Sequence, residues 1–188
     1  MQSFLIIGLG NPDEDYLHTR HNIGFDVADA LAKKLDAPFQ KVKLGWLAEG
    51  KCKGRRFFIL KPDTYMNLSG KSVLYWMQQK NLSKQELLVV TDDLALPFGS
   101  IRIKPKGGDG GHNGLSSIIA SLEHAEFARL RFGIGNDFSK GKQVDFVLGK
   151  WNEEERKTLA ERIETCCEAI LSFGLSGIGN TMTAFNGK

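Results

Sequence analysis

The sequence predicts a single three-layer α/β domain, a twisted mixed β-sheet flanked by helices. Three observations carry this expectation. Phe4–Leu9 and Leu87–Thr91 are short, apolar, β-rich runs, too brief for helices, and read as buried strands. Stretches of helical period alternate with such runs along the whole chain. Trp46–Cys52 and Arg55–Lys61, joined by Lys53-Gly54, form a hairpin signal and require at least one antiparallel pair. The 188 residues suffice for one domain with a real core, and no linker or repeat divides them.

Taken in order, the first strand stops at Gly10-Asn11-Pro12, where Pro12 cannot donate to a ladder. A polar loop, Asp13 to Arg20, leads to His21-Asn22, with Asn22 expected as the N-cap of a helix over Ile23–Leu35. Its apolar residues Ile23, Val27, Leu31 and Leu35 recur at every fourth position. After the hairpin, Pro62-Asp63 breaks the chain, and Leu68–Gln79 reads as a second helix. The Leu87 run ends in Asp92-Asp93, and Ser100–Lys104 alternates as a strand. Lys106–Gly114 holds five glycines and is expected to be a loop. Leu115–Leu122 is a short helix, and Arg129–Gly135 alternates again. Asn152 and Glu155 form a capping box for a long last helix, expected to end at Gly174.

Composition narrows the function. A net charge of +3 permits a nucleic-acid partner gripped at a few phosphates without demanding one. No apolar run approaches the roughly 20 residues of a membrane helix, and the first run lacks the basic flank and length of a signal peptide. Three cysteines, Cys52, Cys166 and Cys167, read as free thiols in a reducing cytoplasm. Neither a long zipper nor a large apolar patch is evident, so a monomer is expected.

Four segments end in turn or acidic punctuation and carry side chains suited to a cleft. They are Gly10-Asn11-Pro12, Tyr65–Gly70 with Asn67, Thr91-Asp92-Asp93, and Gly110–Gly114 with His112 and Asn113. Ligands of open α/β sheets bind beyond the carboxyl ends of strands, which favours the first and third. An Asn carboxamide can donate and accept without charge, and so can read a peptide group. His21 is the best general base, its ordinary pKa lying at about 6.5. Asp92 is the carboxylate that could fix its tautomer, and His112 is the rival base. No Gly-x-Ser-x-Gly elbow is present, so water is the expected nucleophile. Gly8-x-Gly10 begins a dinucleotide fingerprint, but Asp13 occupies its third glycine and would repel a pyrophosphate. A His18-x-x-His21 metal pair rests on loop spacing alone.

Several motifs then stand in register: Gly8-Leu9-Gly10-Asn11-Pro12, Tyr16 with Thr19–Gly24, Met66–Gly70, Asp92-Asp93-Leu94, Gly110–Leu115 and Arg129-Leu130-Arg131. Together they resemble bacterial-type peptidyl-tRNA hydrolases over the whole chain. The resemblance implies one catalytic domain over residues 1–188, acting without metal or cofactor. It implies hydrolysis of the ester joining a peptide to the 3′-terminal ribose of tRNA. It implies His21 as general base, Asp92 as its support, and Asn11 as the residue that tells blocked from free aminoacyl groups. Tyr16, Tyr65, Asn67 and Asn113 match tRNA- or peptide-contacting positions, and Lys104 and Arg131 match basic residues assigned to the tRNA 5′-phosphate. Lys106 and Arg129 are further phosphate candidates by position. An oxyanion would form beside Asn67 or Asn11. Asp13, Ala95 and Asn136-Asp137 depart from the family pattern. A non-catalytic RNA-binding module and a nucleotide-cofactor enzyme are the alternative readings.

Overall fold

The computed structural model describes residues 1–188. The elements are β1 (Ser3–Gly8), α1 (Ile23–Lys34), β2 (Gln40–Val42), β3 (Gly45–Cys52), β4 (Arg55–Pro62), α2 (Ser69–Gln79), β5 (Leu87–Asp93), β6 (Ile101–Lys104), α3 (Asn113–Leu122), β7 (Ala128–Gly133), α4 (Gln143–Val147), α5 (Glu153–Ser176) and α6 (Ile178–Phe185). The seven strands form one mixed sheet in the order β2-β3-β4-β1-β5-β7-β6. Strands β4, β1, β5 and β7 run parallel at its centre, and antiparallel partners close both sides.

Strand β1 shows why the sheet is buried on both faces. Phe4 and Ile6 point into a core of 25 buried residues shared with α1 and α5, whereas Leu5, Ile7 and Leu9 point into a core of 13 shared with α2 and α3. Every position of its apolar run is therefore used. Cys166 and Cys167 are buried in the larger core as free thiols, their pKa values pushed up by burial. No helix is long and apolar enough to cross a membrane.

The hairpin at Lys53-Gly54 forms as expected, with Cys52 opposite Arg55. Three local expectations are corrected. Gly174 does not end the last helix. It lies inside α5, where the chain passes so close to Phe57 that a Cβ would sit 2.5 Å from its ring. The helix stops at Gly177, whose φ of 85° suits a residue without a side chain. Asn22 occupies the N-cap position of α1, but its side chain caps nothing there. The glycine loop is shorter than expected, because α3 already begins at Asn113.

Candidate active site

The site is assembled at the carboxyl ends of β1 and β5. These neighbours pair in parallel with Gly8 opposite Val90, and Leu9 N–H extends the ladder to Val90 O at 3.1 Å. Asn11 and Asp92 therefore leave the sheet on the same side. His21 arrives from a single 3-10 turn, Arg20–Asn22, just before α1. That helix can reach the sheet because Gly8 and Gly24 meet face to face. A Cβ on Gly8 would lie 2.2 Å from Gly24 O, and one on Gly24 would lie 2.4 Å from Leu9 N.

Asp92 is buried and accepts from two imidazoles. His21 Nδ1 lies 2.9 Å from Oδ2, and His112 Nε2 lies 2.8 Å from Oδ1. Burial alone would raise the Asp92 pKa, but the charges and hydrogen bonds of the two histidines outweigh it and hold the carboxyl well below the usual range. An ionised carboxylate accepts only, so both ring nitrogens facing it carry hydrogen. For His21 this leaves Nε2 with the lone pair, and Nε2 makes no hydrogen bond to the protein. Burial draws the His21 pKa down, yet the Asp92 hydrogen bond and charge together leave it raised above 6.5.

His112 is arranged differently. Its Nδ1 accepts from Gly114 N at 3.0 Å and Leu115 N at 3.3 Å, capping α3 with an imidazole. Both its nitrogens are engaged, so it has no atom free to take a proton. His18 turns away from His21 and binds Asp26 at 2.9 Å, so the two do not form a ligand pair. His21, Asp92 and His112 do offer three ligand atoms within 4.8 Å of one another, but hydrogen bonds to Asp92 account for that proximity.

Asn11 is also buried. Its Oδ1 accepts from Met66 N–H at 2.8 Å. That bond fixes the orientation of the amide and leaves Nδ2 without a partner in the protein. Its backbone N–H and C=O are both held by the Asn22 side chain, each at 2.9 Å. Met66 opens a second 3-10 turn, Met66–Leu68, so the same contact ties that turn to β1. The turn carries Asn67, and α3 opens with Asn113, and both side chains are exposed. Tyr65 is exposed too, its hydroxyl donating to Asp13 Oδ2 at 3.1 Å. Tyr16 is half-buried and ends a 3-10 turn, Glu14–Tyr16, within the connection from β1 to α1.

The basic residues divide into three kinds. Lys104 ends edge strand β6, half-buried and without an ion pair. Arg131 pairs with Asp93 through its Nε. Arg129, a phosphate candidate by sequence, is corrected. It is 1% exposed and points inside, so it cannot meet a ligand. Ile103 and Leu130 alternate with these cations and take the other face of the ribbon. Lys104 is paired with Arg129 and Arg102 with Arg131, so all four leave the β6–β7 ribbon on one face. Of the four only Arg129 is buried, its guanidinium packed over the Phe127 ring.

Sequence reasoning missed two supports beside the dyad. Arg20 Nη2 bonds Glu155 Oε1 at 2.8 Å and its guanidinium lies 4.2 Å over Phe146, fastening the residue before His21 to the start of α5. The second is the cap made by His112. Neither has a local signal, since each depends on a partner far along the chain. A cleft of about 700 Å³ between Leu35, Pro38, Trp76 and Lys80 lies at the β2–β3 edge and contains none of these groups.

Known proteins match the chain in sequence and in fold. The family model for peptidyl-tRNA hydrolase matches residues 5–188. The peptidyl-tRNA hydrolase of Phocaeicola vulgatus is 55% identical over 185 residues, 98% of this chain and 99% of the relative. That of Porphyromonas gingivalis is 50% identical over 183 residues, 97% of this chain and 99% of the relative. The crystal structure of peptidyl-tRNA hydrolase from Acinetobacter baumannii superposes with a TM-score of 0.92 at 34% identity, covering 98% of this chain and 94% of that one. Matched by the family model over residues 5–188 and by curated relatives from end to end, the chain belongs to the peptidyl-tRNA hydrolase family.

Proposed function

We propose that residues 1–188 act as one catalytic domain in which His21 and Asp92 form a hydrolytic dyad. The chain hydrolyses peptidyl-tRNA at the ester between the peptide and the tRNA ribose, freeing both for reuse in translation. The observation that carries the residue assignment is the double acceptance by Asp92, which leaves His21 Nε2 as the unprotonated nitrogen. Nε2 takes a proton from water as the oxygen attacks the ester carbonyl. Asp92 stabilises the resulting imidazolium without itself taking the proton. The oxyanion of the tetrahedral intermediate accepts a hydrogen bond from Asn11 Nδ2, which is held in place through Met66. The ribose 3′-oxygen leaves with the proton from His21.

Asn67 and Asn113 are exposed and suited to a peptide backbone, and Tyr16 and Tyr65 to the tRNA end. Lys104 and Arg131 bind the tRNA 5′-phosphate. The protein works as a cytoplasmic monomer. Support for the monomer comes from the sheet edge: Asn186 covers Ile103 of β6, accepting from its N–H at 2.7 Å and donating to its carbonyl at 3.0 Å.

The test uses N-acetyl-aminoacyl-tRNA. His21→Ala should lower turnover by roughly 10²–10⁴, with KM much less affected. Asp92→Asn should also lose rate. Near-native turnover by His21→Ala overturns the base assignment, and an intact ester with the wild-type protein leaves only an RNA-binding module.

A further inference from the structure

Arg129 presents a problem of its own. It is a buried cation with no ion pair. Its guanidinium donates instead to three carbonyls: Nη1 to Gly108 O at 3.0 Å, and Nη2 to Ala125 O at 2.9 Å and Phe127 O at 3.5 Å. The group also lies 4.3 Å over the Phe127 ring. An unpaired buried charge is costly, and these oxygens and the ring face are its compensation.

The carbonyls show what the charge holds. Gly107 N donates to the same Ala125 oxygen at 3.3 Å, so Gly107, Gly108, Ala125 and Arg129 close a ring. This ring is the tether of the Pro105–Gly111 loop to the rest of the protein. The loop's other hydrogen bonds are internal, with Gly111 N and His112 N both turned onto Asp109. At the far end of the loop His112 donates to Asp92. At the near end Lys104 is the cross-strand partner of Arg129.

We propose that Arg129 is a positioning residue for the dyad: by clasping Gly108 it sets the loop so that His112 reaches Asp92. The proposal rests on the reading of His21 and Asp92 given above. His112 engages one oxygen of Asp92, and the other serves His21. Loss of the His112 donor leaves more of the carboxylate charge to His21, so the imidazolium is stabilised and loses its proton at higher pH.

Arg129→Lys tests this, because an ammonium keeps the charge but cannot fork between the Gly108 and Ala125 carbonyls. The kcat for N-acetyl-aminoacyl-tRNA should fall about tenfold with KM within about twofold. The acid limb of kcat/KM should move to higher pH. Amide exchange should quicken at Gly107, Gly108 and Gly110 but not in β1 or β5. In a cycle with His112→Ala, the double variant should lose no more than His112→Ala alone. Multiplying losses, or an unchanged acid limb with unchanged loop exchange, overturn the proposal. Should Arg129→Lys not fold, one glycine inserted after Gly108 leaves the clasp intact and uncouples it from His112. That insertion should reproduce the His112→Ala loss and acid-limb shift, and native behaviour overturns the proposal. A fully active His21→Ala control would instead sink the dyad reading, and the loop-exchange comparison would still judge the role of Arg129.

Discussion

Asn22 grips the main chain of Asn11 as a neighbouring strand would, accepting from its N–H and donating to its carbonyl, both at 2.9 Å. The grip joins the turn after β1 to the turn that carries His21. Two side chains of the site thus hang from one buried carboxamide.

Replacing Asn22 with Ala should therefore cost about 2–4 kcal/mol, because it strands one donor and one acceptor in a buried place. Denaturant unfolding measures the loss. Activity should fall more than the folded fraction does, since Asn11 and His21 both lose their anchor. An Asn22→Ala protein with unchanged stability would show that the Asn11 backbone finds other partners.

The pH profile follows from the shifts at the dyad. His21 acts only when neutral, so kcat/KM should fall as pH drops through its raised pKa, above 6.5. Asp92→Asn removes the charge that raises it, and the acid limb should move to lower pH. Stability runs in opposite directions for the two groups. The raised His21 pKa contributes stability below the unfolded value of about 6.5 that is lost as pH rises through the folded value. The depressed Asp92 pKa contributes stability above about 3.9 that is lost as pH falls. Rate and stability measured over the same pH range separate the two.

Much of this was legible from local pattern. The β1 and β5 runs, the Lys53-Gly54 hairpin and the Asn152–Glu155 capping box each depend on neighbours in sequence, and each forms. The meeting of His21 and Asp92 was readable because strand ends converge in an α/β sheet. Tertiary partners decided the rest. Gly174 reads as a helix stop until Phe57 is found against it. Asn22 reads as a cap until its side chain is found on Asn11. Arg129 reads as a surface cation because alternation along β7 gives its face and not what covers that face. His112 reads as a base until the N–H groups of α3 are found on its Nδ1.

Binding of tRNA should weaken gently with salt, with a slope of roughly −0.7 to −0.9 for each of a few phosphates. Lys104 and Arg131 should contribute unequally. Asp93 already neutralises part of Arg131, whereas Lys104 has no carboxylate. Lys104→Ala should thus reduce the salt slope by about one and weaken tRNA bearing a 5′-phosphate more than tRNA lacking it. Equal losses on both substrates break the phosphate assignment.

Choice between blocked and free aminoacyl-tRNA should depend on Asn11. Its Oδ1 is occupied by Met66 N–H, so the substrate meets only Nδ2, a donor. A blocked substrate offers a neutral amide whose carbonyl accepts from that donor. A free one offers an α-amino group with a pKa of about 7.7–8.0, partly ammonium near neutrality, which has donors only. Two donors facing each other at a buried side chain leave both unpaired. A site of this kind can discriminate by up to roughly 10⁴–10⁵. The exposed amides of Asn67 and Asn113 can share the task, so one substitution should narrow the ratio and not erase it. Asn11→Ala also frees Met66 N–H, and the variant should lose some stability by the loss of that bond, about 1 kcal/mol. Asn11→Asp is the sharper probe. It keeps an oxygen for Met66 N–H and replaces the donor with an acceptor, which suits an ammonium and repels a carbonyl. The ratio of kcat/KM for N-acetyl-aminoacyl-tRNA over aminoacyl-tRNA should fall in Asn11→Ala and fall further in Asn11→Asp. If both variants lose the same factor on both substrates, Asn11 serves only the oxyanion or the turn, and the discrimination lies elsewhere.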